Sequence, residues 1–324
     1  MKLAGLKSTA AVVLLASLAS VAPAEEVGRA ARQGAQQSLE VAPGATVSLC
    51  VEGGDVFVRG TDGREVRASA AGGARIELRR PAGMLSAGAA QRVEVSAADE
   101  RGVSGCAFSG RVALDVPRGG TVHIKTVTAR VTVSDVAHAR VETVSGEVTL
   151  QGIARSAEAS SANGDLSLRK STGRVRLQTI SASVEAAEVM PVEPADQFLA
   201  KTTSGDITLA RIGHARVEAS TTSGHVDLRG ALARGGVYML KAYSGGVTVT
   251  LPAEASFRVD ARVAHGEIVT DFPVRQSQAA QAESLLHGQH STVRVNGVAG
   301  DNPHATLALS SFSGTLQLRK AAAR

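Results

Sequence analysis

Four carboxylates occupy one recurring place in the chain. Glu147, Asp165, Asp206 and Glu267 each follow a glycine, in Ser145-Gly146-Glu147, Asn163-Gly164-Asp165, Ser204-Gly205-Asp206 and His265-Gly266-Glu267. If such units stack as layers about 4.8 Å apart, the acids form a column that could hold a cation or touch a glycan. Other units carry Ser183, His225, Gly246 and Thr315 at that place, so Glu147 and Asp165 are the one acidic pair in adjacent layers. A hard cation asks for about six or more oxygen ligands, more than this column offers. A spacing of about 5 Å is also that of the two carboxylates of a retaining glycosidase. On an outward face, however, nothing separates two solvated carboxyls into an acid and a nucleophile. They read as solvated turn and strand positions.

The remaining chemistry-bearing residues are scattered. His138 and His214 recur in a repeated His-Ala-Arg-Val-Glu segment. On the stacking reading they lie about four layers, roughly 19 Å, apart and share no metal. His123, His225, His265 and His304 show no ligand spacing, and His287 and His290 are a close pair in a polar stretch. The many Ser-Gly units, and Val103-Ser104-Gly105-Cys106, lack the strand–elbow–helix setting of a nucleophilic serine. No glycine-rich loop opens a helix to cradle phosphate. The expectation is a non-enzyme with no cofactor and no metal.

The elements that position these residues are set by a repeat. Gly-centred units recur at Gly146, Gly164, Gly205, Gly224, Gly245, Gly266 and Gly314, with Ala129 and Ala182 in the same place in two more. After each, apolar and polar residues alternate, as in Glu147-Val148-Thr149-Leu150. That period of two, with one face buried, is a strand. A repeat of about 20 residues is too short for two packed helices. The glycine is read as the φ-tolerant residue of a turn, and the Ser, Thr or Asn before it as a hydrogen-bonding partner for nearby amides. One unit cannot bury its own apolar edge, so the fold expected is all-β, a parallel β-solenoid of stacked units. The competing arrangement is an antiparallel sandwich or barrel. The pattern sets neither the handedness nor the number of sheets per coil.

Composition agrees. The chain has no Trp, two Tyr and six Phe, yet is 44% hydrophobic, so Val, Leu, Ile and Ala must fill the core. Interface hot spots favour aromatics, which makes Phe257, Phe272, Tyr238 and Tyr243 the anchors to examine, although they serve equally well as core. Nucleic-acid binding is not expected, since basic residues are neither clustered nor interleaved with aromatics.

The N-terminus reads as an export signal. Lys2 and Lys7 precede an apolar run from Ala10 to Ala22, and Ala22-Pro23-Ala24 suits cleavage between Ala24 and Glu25. About thirteen apolar residues fall short of the roughly twenty of a membrane span, and no later run approaches it. Removing residues 1–24 leaves a net charge of about +3. Export places Cys50 and Cys106 in an oxidising compartment. They are either bridged or two buried thiols. The layout expected is a signal peptide at 1–24, a flexible leader at 25–44, and one repetitive domain over 45–318. That domain has an irregular part at 72–110 and an insertion at 276–303, and a tail follows at 319–324.

At its Ser-Gly-x-Val-x-Leu units the sequence resembles a bacterial family of unknown function labelled putative adhesin, over roughly residues 45–318. The resemblance implies a β-repeat domain of the cell envelope, periplasmic or at the surface, and brings no catalytic residues. Three readings follow. The first is an adhesin-like structural or binding module whose partner is another envelope protein or a surface glycan. The others are a sensory or accessory subunit of an envelope-stress system, and a β-helix carbohydrate-active enzyme. The scarcity of aromatics weighs against the last.

Overall fold

The computed structural model describes residues 36–81, 89–276 and 292–322. The signal segment, the 25–35 part of the leader, His287, His290 and Arg324 lie outside them. Alternation along each strand sends Val148 and Leu150 inward and leaves Gln151 outside. One coil comprises His138–Glu142, a corner at 143–147, Val148–Gln151 and a second corner at 152–155. Ser156–Ser160 then opens the next coil.

Each coil therefore gives one strand to each of two parallel ladders. In ladder one, Val148–Gln151 lies between Arg130–Ser134 and Leu166–Thr172. In ladder two, Ser156–Ser160 lies between His138–Glu142 and Arg174–Gln178. Registers are kept from layer to layer, so apolar residues stack on apolar residues, as Ala139, Ala157 and Val175 do. The inward residues form one continuous core, mostly Val, Leu, Ile and Ala with five aromatic rings. Parallel strands paired on both sides, with crossings at the corners, are the β-solenoid of the sequence reading.

Layer order departs from chain order at both ends. The strands Gln36–Val51 and Gly53–Thr61 make a coil that lies inside Ala90–Ala98 and Ser109–Pro117, which come later in sequence. At the other end Ala305–Lys320, the last strand, is inserted between the coil at 236–251 and Phe257–Thr270.

Several boundaries need correction. The strand Gln36–Val51 takes in the last part of the expected leader, because Leu39 and Val41 already alternate with polar residues; its first five residues pair antiparallel with Glu65–Ala70. The region 72–110 holds Arg75–Arg79 and Ala90–Ala98, an antiparallel pair set by Ile76, Val93 and Val95. Within the expected insertion at 276–303, Val293–Ala299 is a strand antiparallel to Phe257–Thr270. The strand Ala305–Lys320 also takes in the first residues of the expected tail.

Leu150 has no exposed surface. In Leu150→Asp a carboxylate would be buried without a partner, at a cost on the order of several kcal/mol. A large fall in melting temperature is expected; an unchanged melt would move Leu150 off the core.

Candidate functional site

The corner between ladder two and ladder one recurs from coil to coil, and residues 143–147 show its parts. The first residue is a buried hydroxyl in most coils, with Ala242 and Val263 in its place in two. Thr143 Oγ1 accepts the Gly146 N–H at 3.0 Å, and Ser161 Oγ accepts that of Gly164 at 2.7 Å. In later layers the hydroxyl turns to the neighbouring coil. Thr221 Oγ1 donates to the Gly205 carbonyl at 3.0 Å and Ser311 Oγ to that of Gly245 at 2.8 Å. Thr179 is the member whose hydroxyl finds no partner. The clip is thus the residue three before the glycine, not the one next to it. Ser145, Asn163, Ser204, Ser223, Ser244 and Ser313 stand exposed instead. The spacing Ser/Thr-x-x-Gly was present in the sequence and marks the buried residue.

The glycine also has a different reason from the one read in sequence. At Gly146, Gly164 and Gly205 the backbone is not left-handed; a β-carbon there would strike the carbonyl oxygen of Ala129, Gly146 or Ala182 in the adjacent layer. Only from Gly224 onward is φ positive as well, from 141° at Gly245 to 155° at Gly224. Close approach of layers is the common requirement.

The carboxylates after the glycine bind their own neighbours. Asp165 Oδ1 accepts the Ser183 N–H at 2.9 Å, and Asp206 Oδ1 accepts that of His225 at 2.7 Å. Glu147 meets Arg130 at 3.3 Å. These three acids each fasten one layer to a neighbour, whereas Glu267 stands exposed on the last coil. Among the described residues, no three His, Cys, Asp or Glu side chains converge.

His138 and His214 are not equivalent. The corner glycines hold the register, and Glu218 is two residues farther from Gly224 than Glu142 is from Gly146. The second His-Ala-Arg-Val-Glu copy is therefore offset by two, so that Val217, not Ala215, stacks in the column of Ala139. His214 moves into the second corner and is fully buried. It donates from Nε2 to the Gly173 carbonyl at 2.7 Å, which leaves Nδ1 buried without a partner. His138 stays half-buried, beside a recess it lines with Arg155, Arg174, Glu193 and Asp196. Cys50 and Cys106 are joined, with Cα atoms 4.6 Å apart, and tie the first strand to the short turn Gly105–Ala107.

What sets the corner apart as a surface is its second residue. Val127, Val144, Ile180, Tyr243 and Phe312 stand exposed in one column, with Thr203 and Thr222 between Ile180 and Tyr243. The inserted last strand brings Phe312 onto Tyr243, ring centroids 4.8 Å apart and 3° from parallel. His265 closes edge-on against Phe312 at 5.1 Å. Tyr243 is 57% exposed and Phe312 44%, whereas Phe257, Phe272 and Tyr238 lie in the core. Of the four aromatics singled out in sequence only Tyr243 faces solvent. Its partner Phe312 had no local signal, because the chain returns to it only after another coil. Beside the rings runs the exposed serine column, Ser223, Ser244 and Ser313.

A family model described as Toastrack DUF4097 matches residues 47–302. No curated protein matches the chain. Among solved structures, similarity is found to a putative cell adhesion protein from Clostridium sporogenes ATCC 15579. Identity is 7%, coverage is 89% of this chain and 100% of that one, and the TM-score is 0.25.

Burial holds the His214 imidazole below its usual pKa, against the bond to Gly173 and the charge of Asp196. The unfolded chain takes up a proton near pH 6.5 that the folded chain refuses. Stability is therefore kept above about pH 6.5 and falls as pH drops below it, by at most about 1.4 kcal/mol per pH unit for one group. Denaturant unfolding at several pH values should show His214→Gln losing less stability in acid than the wild type. Equal losses would remove His214 as the source.

Proposed function

We propose, from the premise that this chain belongs to the Toastrack DUF4097 family, that it is an exported, non-enzymatic binding module of the cell envelope, adhesin-like in its role. The observation that carries this reading is the stacked Tyr243–Phe312 pair, exposed on the corner column that also carries Val127, Val144 and Ile180. Exposed aromatics are otherwise rare in this chain, and aromatic anchors dominate binding energies. The rings supply flat apolar faces, and the serine and threonine hydroxyls beside them supply donors and acceptors at the layer spacing. A ridge of this kind grips a partner by stacking and hydrogen bonding. The acids that could have acted as catalysts instead fasten layers together. The partner fitting this surface is an envelope protein or a surface glycan.

Export supports the same reading, since Lys2, Lys7 and the Ala10–Ala22 run have the form of a signal segment. Protein recovered from the envelope fraction should begin at Glu25; an intact Met1 would overturn export by this route. Binding is tested by co-sedimentation of purified protein with isolated envelopes of the producing cell. Tyr243→Ala with Phe312→Ala should weaken retention by about thirtyfold, the loss of one hot spot of about 2 kcal/mol, with melting unchanged. Retention by the double variant equal to wild type would sink the ridge as the contact surface.

A further inference from the structure

Three of the four ladder ends are closed by antiparallel strands. At the N-terminal end, Glu65–Ala70 covers Ser109–Pro117 and Arg75–Arg79 covers Ala90–Ala98. At the C-terminal end, ladder two is closed by Val293–Ala299 and then Val274–Gln276. The fourth end, ladder one at residues 266–270, pairs on its inner side with the last strand and on its outer side with nothing among the described residues. Here we propose a strand-acceptor site: the outer edge of residues 266–270 takes up one extended segment of a partner polypeptide as an added β-strand. This goes beyond the ridge reading and does not depend on it.

The backbone dictates the ligand class. Asp271 donates its N–H to the Leu318 carbonyl. Backbone groups alternate along a parallel ladder, so Glu267, Val269 and Asp271 face the last strand, while the N–H and C=O of Ile268 and Thr270 point outward. Such a row of donors and acceptors is complemented by another backbone in extended form. Gly266-Glu267-Ile268-Val269-Thr270 contains no Pro and no Lys, so Glu267 is its one charged guard. Val269 is left 46% exposed.

The surroundings choose between occupants. Ladder two runs two strands farther than ladder one, so ladder one has a strand-sized notch beneath an overhang. Two copies of this chain cannot meet edge to edge there, since each would carry its overhang into the same gap. A single extended segment fits. Ile268 and Val295 are only partly buried against the core at this end. The added strand therefore presents apolar residues at alternate positions, inward, to continue the core.

The test uses the whole protein and a labelled synthetic peptide with the sequence of residues 311–320, whose Leu316 and Leu318 have the required alternation. Fluorescence anisotropy should report saturable binding. The Ile268 and Thr270 amides should exchange fast in the free protein and slow with peptide bound. A peptide N-methylated at alternate amides should bind about tenfold or more weakly when the methyls face the edge, and normally when they face away. Thr270→Pro, which removes one outward donor at an edge position, should weaken binding more than Thr270→Val, which loses the same hydroxyl bond to Phe272 but keeps the donor. Absence of binding, indifference to N-methylation, or protection of both amides in the free protein (an edge already covered by the chain itself) would each overturn the proposal.

Discussion

The spacing between layers governs the rest of the molecule. Parallel backbone hydrogen bonding holds successive coils about 4.8 Å apart, and at the corner this leaves less room than a β-carbon needs. The carbonyl of one layer sits where the side chain of the next would begin, as Ala129 does over Gly146 and Gly146 over Gly164. The same closeness makes a short hydroxyl three residues earlier the natural clip, and lets the carboxylate after the glycine reach the amide of the neighbouring layer. Glycine, hydroxyl and acid are three consequences of one distance.

That distance also shapes the outer faces. Side chains in one column are close enough to interact across layers, so on ladder two opposite charges interleave. Arg140 reaches Glu142 at 3.0 Å and Glu158 at 3.3 Å, and Lys125 reaches Glu142 at 3.2 Å. The two cations hold the Glu142 carboxyl below its usual range. Exposed pairs of this kind add little stability. Their effect is a well-solvated patch over the coils at 121–160, against which the Tyr243–Phe312 pair stands out. The chemistry of columns thus distinguishes a surface that stays in water from one that can grip a partner.

A solenoid must also end, and here both ends are made by chain reversal. The chain enters one layer in from the N-terminal end, steps outward through antiparallel strands and returns. At the C-terminal end it passes the last position, folds back through Val293–Ala299, and slots its final strand inside. Such reversal covers edges that would otherwise template aggregation. It also unites the aromatic pair, because inserting Ala305–Lys320 beside the coil at 236–251 is what stacks Phe312 on Tyr243.

The fold class was legible because it rests on local facts. Alternation of Val148 and Leu150 with polar residues, and a glycine returning about every 20 residues, are properties of neighbours along the chain. Those determine strands, turns and stacking. Layer order, the two-ladder coil and the distinct fates of His138 and His214 were not legible, since each depends on which distant strands pair. An identical five-residue segment came to lie two positions out of register because the corner glycines, not the similar letters, hold the layers in place. The exposed pair Tyr243 and Phe312 likewise exists only after the last strand inserts. Sequence by itself determined the repeating unit and its buried face. Tertiary pairing decided which units became neighbours, and so which side chains meet solvent together, because parallel hydrogen bonding joins strands without regard to their distance along the chain.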